Sequence, residues 1–213
     1  IDVEIVNRIN RCVKDNGFSF LHDSVLSQKL FAIESNFVEE NPNLVREYNE
    51  GDGFNSETEI KLYTNDKAGK SGRARWYVTN KQNITSGREY MSDWKVVVSS
   101  ANAGGQKRSN QLAVLDNHSV FGRSRVALKT FKTEKEARNF YKYVKSELIR
   151  FAFLMTDESL TSLAKQVPDI LDYSDMNGLI NFAGDVNVQL YKLFGIEKNS
   201  QEHIRDVLSK KAE

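Results

Sequence analysis

Between Phe131 and Thr133 the hydrophobic rhythm of this chain changes from a period of two to one of about 3.6, and no single class of secondary structure accommodates both. Upstream, Glu59-Ile60-Lys61-Leu62-Tyr63-Thr64 alternates polar and apolar, as a half-buried strand does. From Arg73 to Thr79, Ala74, Trp76 and Val78 alternate against Arg75 and Tyr77. Trp94-Lys95-Val96-Val97-Val98 reads as a buried strand, because β-branched and aromatic residues suit a packed pleated surface. Short apolar strands follow at Leu112–Leu115 and Val126–Phe131, with Asn117-His118 turning into Ser119-Val120-Phe121 between them. Downstream, Thr133-Glu134-Lys135-Glu136 is a capping box, with Thr133 as N-cap and Glu136 reaching back. Beyond it Ala137, Phe140, Tyr141, Val144, Leu148, Phe151 and Met155 line one face of a helix of about five to six turns. That aromatic stripe belongs to a core. The expected class is α+β: a curved, mostly antiparallel sheet in the middle of the chain, an N-terminal helix and a helical C-terminal part.

The ends fit that plan. Val6, Ile9 and Val13, flanked by Ile5 and Cys12, predict an amphipathic helix over 3–14 that stops near Asn16-Gly17. Residues 23–31 show no clear period, and 38–55 are acidic and polar, with Pro42, Gly51 and Gly53, as in a surface excursion. Ile84 to Met91 holds a short helical turn. Later helices are expected at Ser159–Val167, ended by Pro168, and at Asp185–Phe194, closing at Gly195. A last one, capped by Asn199 or Ser200, carries Ile204, Val207 and Leu208. Residues 1–155 would form a domain of sheet and long helix, with 156–213 a helical extension packed on it.

Charge is the second organising feature. The net charge of 213 residues is +1, yet residues 61–132 hold fourteen Lys/Arg against four Asp/Glu, a net of +10 that leaves −9 for the rest. Such asymmetry points to a nucleic-acid face on one part of the molecule, the bland alternative being an ordinary solvated surface. The strand at Trp94 runs into Ala103-Gly104-Gly105 and then Gln106, Lys107, Arg108, Ser109 and Asn110, hydrogen-bond donors with no acid among them. Glycines let the backbone approach another surface, so this loop either presents groups to a polyanion or is a solvated hairpin turn.

No run approaches the ~18–20 apolar residues of a membrane span, and no signal pattern opens the chain. Ile1 in place of an initiator methionine suggests a piece of a longer protein. A single cysteine, Cys12, excludes an intramolecular disulfide framework and fits a reducing cytoplasm. His22, His118 and His203 lie far apart, without metal-ligand spacing, so no metal site is expected. Residues 65–72 miss the Gly-x-x-x-x-Gly-Lys-Ser/Thr order of a phosphate-binding loop, and neither a Gly-x-Ser-x-Gly elbow nor a Gly-x-Gly-x-x-Gly turn occurs. Pro168-Asp169 lacks the Glu-x-Lys that a nuclease site would place after it. No catalytic residue is assigned, and the residues read as a nucleic-acid-binding module.

Several stretches in register carry a family resemblance: Val3–Ile9, Ser27-Gln28-Lys29-Leu30-Phe31 with Ser35-Asn36-Phe37, and Trp94–Ser99. The helix Glu134–Arg150, Ile180-Asn181-Phe182 and Gln189–Gly195 complete the set. Together they resemble the C-terminal target recognition domain of adenine-specific DNA methyltransferases, especially fused restriction-modification enzymes of type IIG. Where the family often reads Ser-Arg-Lys-Pro-Phe, Gln28 and Leu30 stand here, leaving Lys29 as the better phosphate contact. Asn181 stands where many members carry aspartate.

The resemblance implies that a separate methyltransferase domain, N-terminal in the same parent chain, binds S-adenosylmethionine and flips the target adenine. This chain would hold no cofactor of its own and would read double-stranded DNA in the major groove. Reading needs Arg or Lys for guanine and Asn or Gln for adenine. The expected base-reading residues are Gln106, Lys107, Arg108, Asn110 and Arg123; the expected phosphate contacts are Lys29, Lys67, Lys70, Arg73, Arg75, Lys95 and Arg125. Two other readings stay open: a protein-interaction or inhibitory module acting through the acidic ends, and an RNA-binding domain stacking bases on Trp76, Tyr77, Tyr90 and Trp94.

Overall fold

The computed structural model describes residues 1–65, 74–100, 112–156, 163–176 and 178–211. In chain order the elements are helix α1 (Asp2–Asn16), strand β1 (Ser19–Phe20), helix α2 (Phe37–Glu40), and strands β2 (Val45–Glu47), β3 (Glu59–Asn65), β4 (Ala74–Asn80), β5 (Trp94–Ser99), β6 (Ala113–Leu115), β7 (Ser119–Phe121) and β8 (Arg125–Phe131). Helices α3 (Glu134–Lys145) and α4 (Glu147–Leu154), strand β9 (Pro168–Asp169) and helices α5 (Val186–Phe194) and α6 (Lys198–Lys211) follow. The chain is α+β, with mostly antiparallel pairing and an N-terminal helix.

The β region is two packed sheets where the sequence suggested one curved sheet. One sheet has the order β2-β4-β3-β7, the other β6-β5-β8, and β1 pairs separately with β9. All pairs are antiparallel except β3 with β7. Between the sheets lie Ile60 and Leu62 of β3, Tyr77 of β4, Val97 of β5, Leu115 of β6, Val120 and Phe121 of β7 and Ala127 of β8, joined by Phe31 and Ile33. The other face of the β5 sheet, Val96, Val98, Val126 and Leu128, shares a second core with the helices. Burial on both faces explains why Val96, Val97 and Val98 run without a polar residue between them. The second core also unites α1 (Ile5, Ile9) with α5 (Leu190, Phe194) and α6 (Ile204), so residues after 155 are packed on the same interior as the first helix.

Helix α1 ends on Gly17 at φ 65°, with the Gly17 and Phe18 amides closing onto Lys14 and Val13 carbonyls. Its buried stripe is Ile5, Ile9, Cys12 and Val13, turned slightly from the expected face, and Val6 is only half-buried. The long helix after Thr133 is two helices. Ser146 is extended at φ −66°, ψ 157°, its hydroxyl donates to the Tyr143 carbonyl at 2.6 Å, and the Glu147 amide is taken by the Asn187 side chain at 2.8 Å. The apolar stripe runs through the break because both halves face the same core, which hides the break from periodicity. The excursion 38–55 adds β2 to the edge of β4, residues 163–166 form turns where helix was expected, and 157–162 lie outside the described residues.

The two sheets meet in the turn from β7 to β8. The Gly122 amide donates to Tyr63 O at 3.0 Å, the Ser100 amide to Ser124 O at 2.8 Å and the Arg123 amide to Ile33 O at 2.9 Å. A Cβ on Gly122 would lie 2.1 Å from Thr64 Oγ1, in a place where Thr64 is 1% exposed. Gly122→Ala should therefore cost about 1–3 kcal/mol by overpacking, lowering Tm by roughly 2–4 °C per kcal/mol for a chain of this size. An unchanged melting curve would show that Thr64 has room to move aside.

Candidate nucleic-acid interface

Strand register brings three connections to one corner. β3 ends at Asn65 opposite the first residue of β4, Ala74, so the chain leaves and re-enters the first sheet side by side. β7 runs parallel to β3, with Phe121 beside Tyr63, and therefore ends at the same place. In the second sheet Ser99 at the end of β5 faces Arg125 at the start of β8, and Val97 faces Ala113 of β6. The short turn 122–124 stitches the two ends together through the hydrogen bonds above. Lys67, Lys70 and Arg73 belong to the connection from Asn65 to Ala74; Gln106, Lys107, Arg108 and Asn110 belong to that from Ser100 to Leu112. These seven residues lie outside the described residues, and the described strand ends fix only where their connections begin and finish.

Of the expected base-reading residues, Arg123 is described. Its guanidinium Nη1 meets Glu34 Oε2 at 2.7 Å, with the two side chains 41% and 56% exposed. Glu34 was not singled out in the sequence. An ordinary acid in an acidic stretch, 89 positions from its partner, gives no periodic or motif signal.

The expected phosphate contacts divide. Lys29 is exposed on a turn in which the Lys29 amide donates to Ser27 Oγ at 3.0 Å and Ala32 closes back onto Lys29 O at 3.0 Å. That turn is anchored by Leu26 pairing with Ala127, and by Gly87, where a Cβ would sit 2.6 Å from Leu30 O. Arg75 is exposed on β4, opposite Thr64. Lys95 and Arg125 are corrections: both are buried between the sheets and cannot meet a phosphate there.

Lys95 is fully enclosed because it occupies an inward position of β5, two residues before Val97. Its Nζ donates to Asp93 O at 2.6 Å, Met91 O at 3.2 Å and Asp116 O at 3.4 Å. Burial pulls its pKa down from 10.5 to about 7, opposed by the charges of Asp93 and Asp116. Arg125 donates to Ser124 O at 2.9 Å and lies over the Tyr63 ring at 5.3 Å; burial lowers its pKa, with Tyr63 opposing. The Tyr63 ring also meets that of Trp76 at 4.8 Å, and Trp76 lies 5.3 Å from Lys61 Nζ. Lys61 ends the row, bonded to Asp116 Oδ2 at 2.5 Å and lying 5.6 Å and 5.7 Å from the Tyr48 and Phe54 rings. Burial alone would raise the Asp116 carboxyl; bonds from Lys61, the Ser119 hydroxyl and the His118 amide hold it below its ordinary value.

Much of the basic excess of residues 61–132 is thus engaged internally. Lys129 pairs with Asp169 at 2.5 Å and Lys132 with Asp93 at 2.7 Å, while Arg88 donates to the carbonyls of Lys81 and Ile84. The rings considered for base stacking are engaged too: Tyr77 is in the core between the sheets with Tyr90 packed against it, Trp94 packs against the helical core, and Trp76 lies between Tyr63 and Lys61.

Among the described residues no group of three or more His, Cys, Asp or Glu could hold a metal ion, and no helix is long and apolar enough to cross a membrane. Comparison with family models, with curated proteins and with solved structures finds no match.

The buried amine gives a test with a definite sign. Between about pH 7 and 10.5 the unfolded chain holds a proton on Lys95 that the folded chain has lost, so this group makes stability rise as pH rises through that window. Urea midpoints across the window should climb more steeply for the wild type than for Lys95→Met, which has nothing to titrate at that position. Parallel curves would mean that the amine is hydrated and keeps an ordinary pKa.

Proposed function

We propose that this chain recognises double-stranded DNA as the target recognition domain of an adenine-specific methyltransferase or a fused restriction-modification enzyme. The observation that carries the reading is the convergence of three connections on one corner, whose sequences hold Lys67, Lys70 and Arg73, then Gln106, Lys107, Arg108 and Asn110, then Arg123. Guanidinium, ammonium and amide groups are the side chains that pair with guanine and adenine edges, and a rigid two-sheet corner is a suitable base from which to present them. Lys29 and Arg75, exposed on anchored elements, suit contacts to the phosphate backbone. The family resemblance supplies the rest of the proposal: S-adenosylmethionine bound and the adenine flipped by a separate methyltransferase domain, this chain catalytically silent, the whole in the cytoplasm.

The test is fluorescence anisotropy with random-sequence duplex DNA titrated across salt. Binding should weaken with a log–log slope of about −4 or steeper, the signature of several phosphate contacts releasing counterions. Arg108→Ala should cost about 1–3 kcal/mol on a selected site and little on scrambled DNA. Equal losses on both would remove Arg108 from base reading, and no binding at ~50 mM salt would overturn the proposal.

A further inference from the structure

We propose that Glu34 and Arg123 act together to read a single G·C base pair, the guanidinium donating to guanine O6 and N7 and the carboxylate accepting from cytosine N4. The inference rests on the DNA-recognition reading and adds to it a base pair and a residue. In the major groove a G·C pair offers two acceptors on guanine beside one donor on cytosine, and guanine O6 is hydrogen-bonded to cytosine N4. A donor and an acceptor already in hydrogen-bond contact with each other are spaced to meet those neighbouring groups. Arg123 Nη1 and Glu34 Oε2 stand 2.7 Å apart, and both side chains are substantially exposed.

The contact uses one nitrogen of a guanidinium that carries five N–H donors and one of two carboxylate oxygens, so both groups keep capacity for a base. Their backbones are fixed. The Arg123 amide is bonded to Ile33 O at 2.9 Å, Ile33 is 3% exposed in the core between the sheets, and Gly122 is pressed against Thr64. Holding a reading group to within a fraction of an ångström is what direct readout demands. Glu34 also stands at the corner where the basic connections converge, and a lone carboxylate there would repel phosphate. Pairing with Arg123 offsets that repulsion while the carboxylate stays available to an amino group on a base.

The test starts with selection of the preferred site by the full chain from a random duplex pool. Dissociation constants are then measured for that site and for versions with each base pair replaced. One position should prefer G·C by roughly 10-fold or more, the size of a good bidentate contact. Glu34→Ala and Arg123→Ala, which remove the acceptor and the donors from exposed side chains, should each abolish the preference at that position and leave it intact elsewhere. The exchange Glu34→Arg with Arg123→Glu should turn the preference toward C·G. Circular dichroism and Tm confirm that each variant is folded, and a pair that merely braces the corner would shift Tm without moving base preference. A selected site whose preferences survive all three variants overturns the pairing and leaves DNA recognition standing. Failure to enrich any duplex overturns DNA recognition and the pairing with it.

Discussion

Burial of β5 on both faces is the constraint on which the remaining architecture depends. Val96 and Val98 pack into the helical core, and Val97 into the core between the sheets. A strand covered on both sides needs a partner layer on each, so the second sheet and the helical layer are requirements of the same short run of valines. The register of β5 with β8 then determines where the chain turns, and Ser99 opposite Arg125 puts the β7–β8 turn beside the outgoing end of β5.

That arrangement carries polar groups into places where apolar ones would pack more easily. Lys95 lies in the inter-sheet interior and is satisfied by three backbone carbonyls, while Arg125 is stacked on Tyr63 at the corner. Burying a charge costs a great deal unless it is paired and hydrogen-bonded, and the row Arg125, Tyr63, Trp76, Lys61, Asp116 supplies partners at each step. The Arg125–Tyr63 contact joins the two sheets at the end from which the basic connections depart, while Lys61 and Asp116 lie toward the other end of β3.

Sequence periodicity carried the fold class and most element positions, because alternation and the 3.6-residue repeat report directly which face of a local element is buried. It failed at Ser146, where two helices share one apolar stripe and the break is made by a side chain–backbone bond and by Asn187 from far along the chain. It failed also for the basic residues. Lys95 and Arg125 look like surface cations in a basic stretch, and only strand register reveals that they point inward. The candidate site was half legible: the donor-rich segments stand out by composition, whereas Glu34 is an unremarkable acid until the fold sets it against Arg123.

The sequence by itself determined the fold class, the order of the main elements and the segregation of charge, since these follow from short-range periodicity and composition. The tertiary structure alone decided that one expected sheet is two, which cations are buried, and that three connections distant in sequence end at one corner. The physical reason is the same in each case. Hydrogen-bond register and core packing join residues as far apart as Lys61 with Asp116 and Glu34 with Arg123, and no local pattern encodes a partner 55 or 89 positions away.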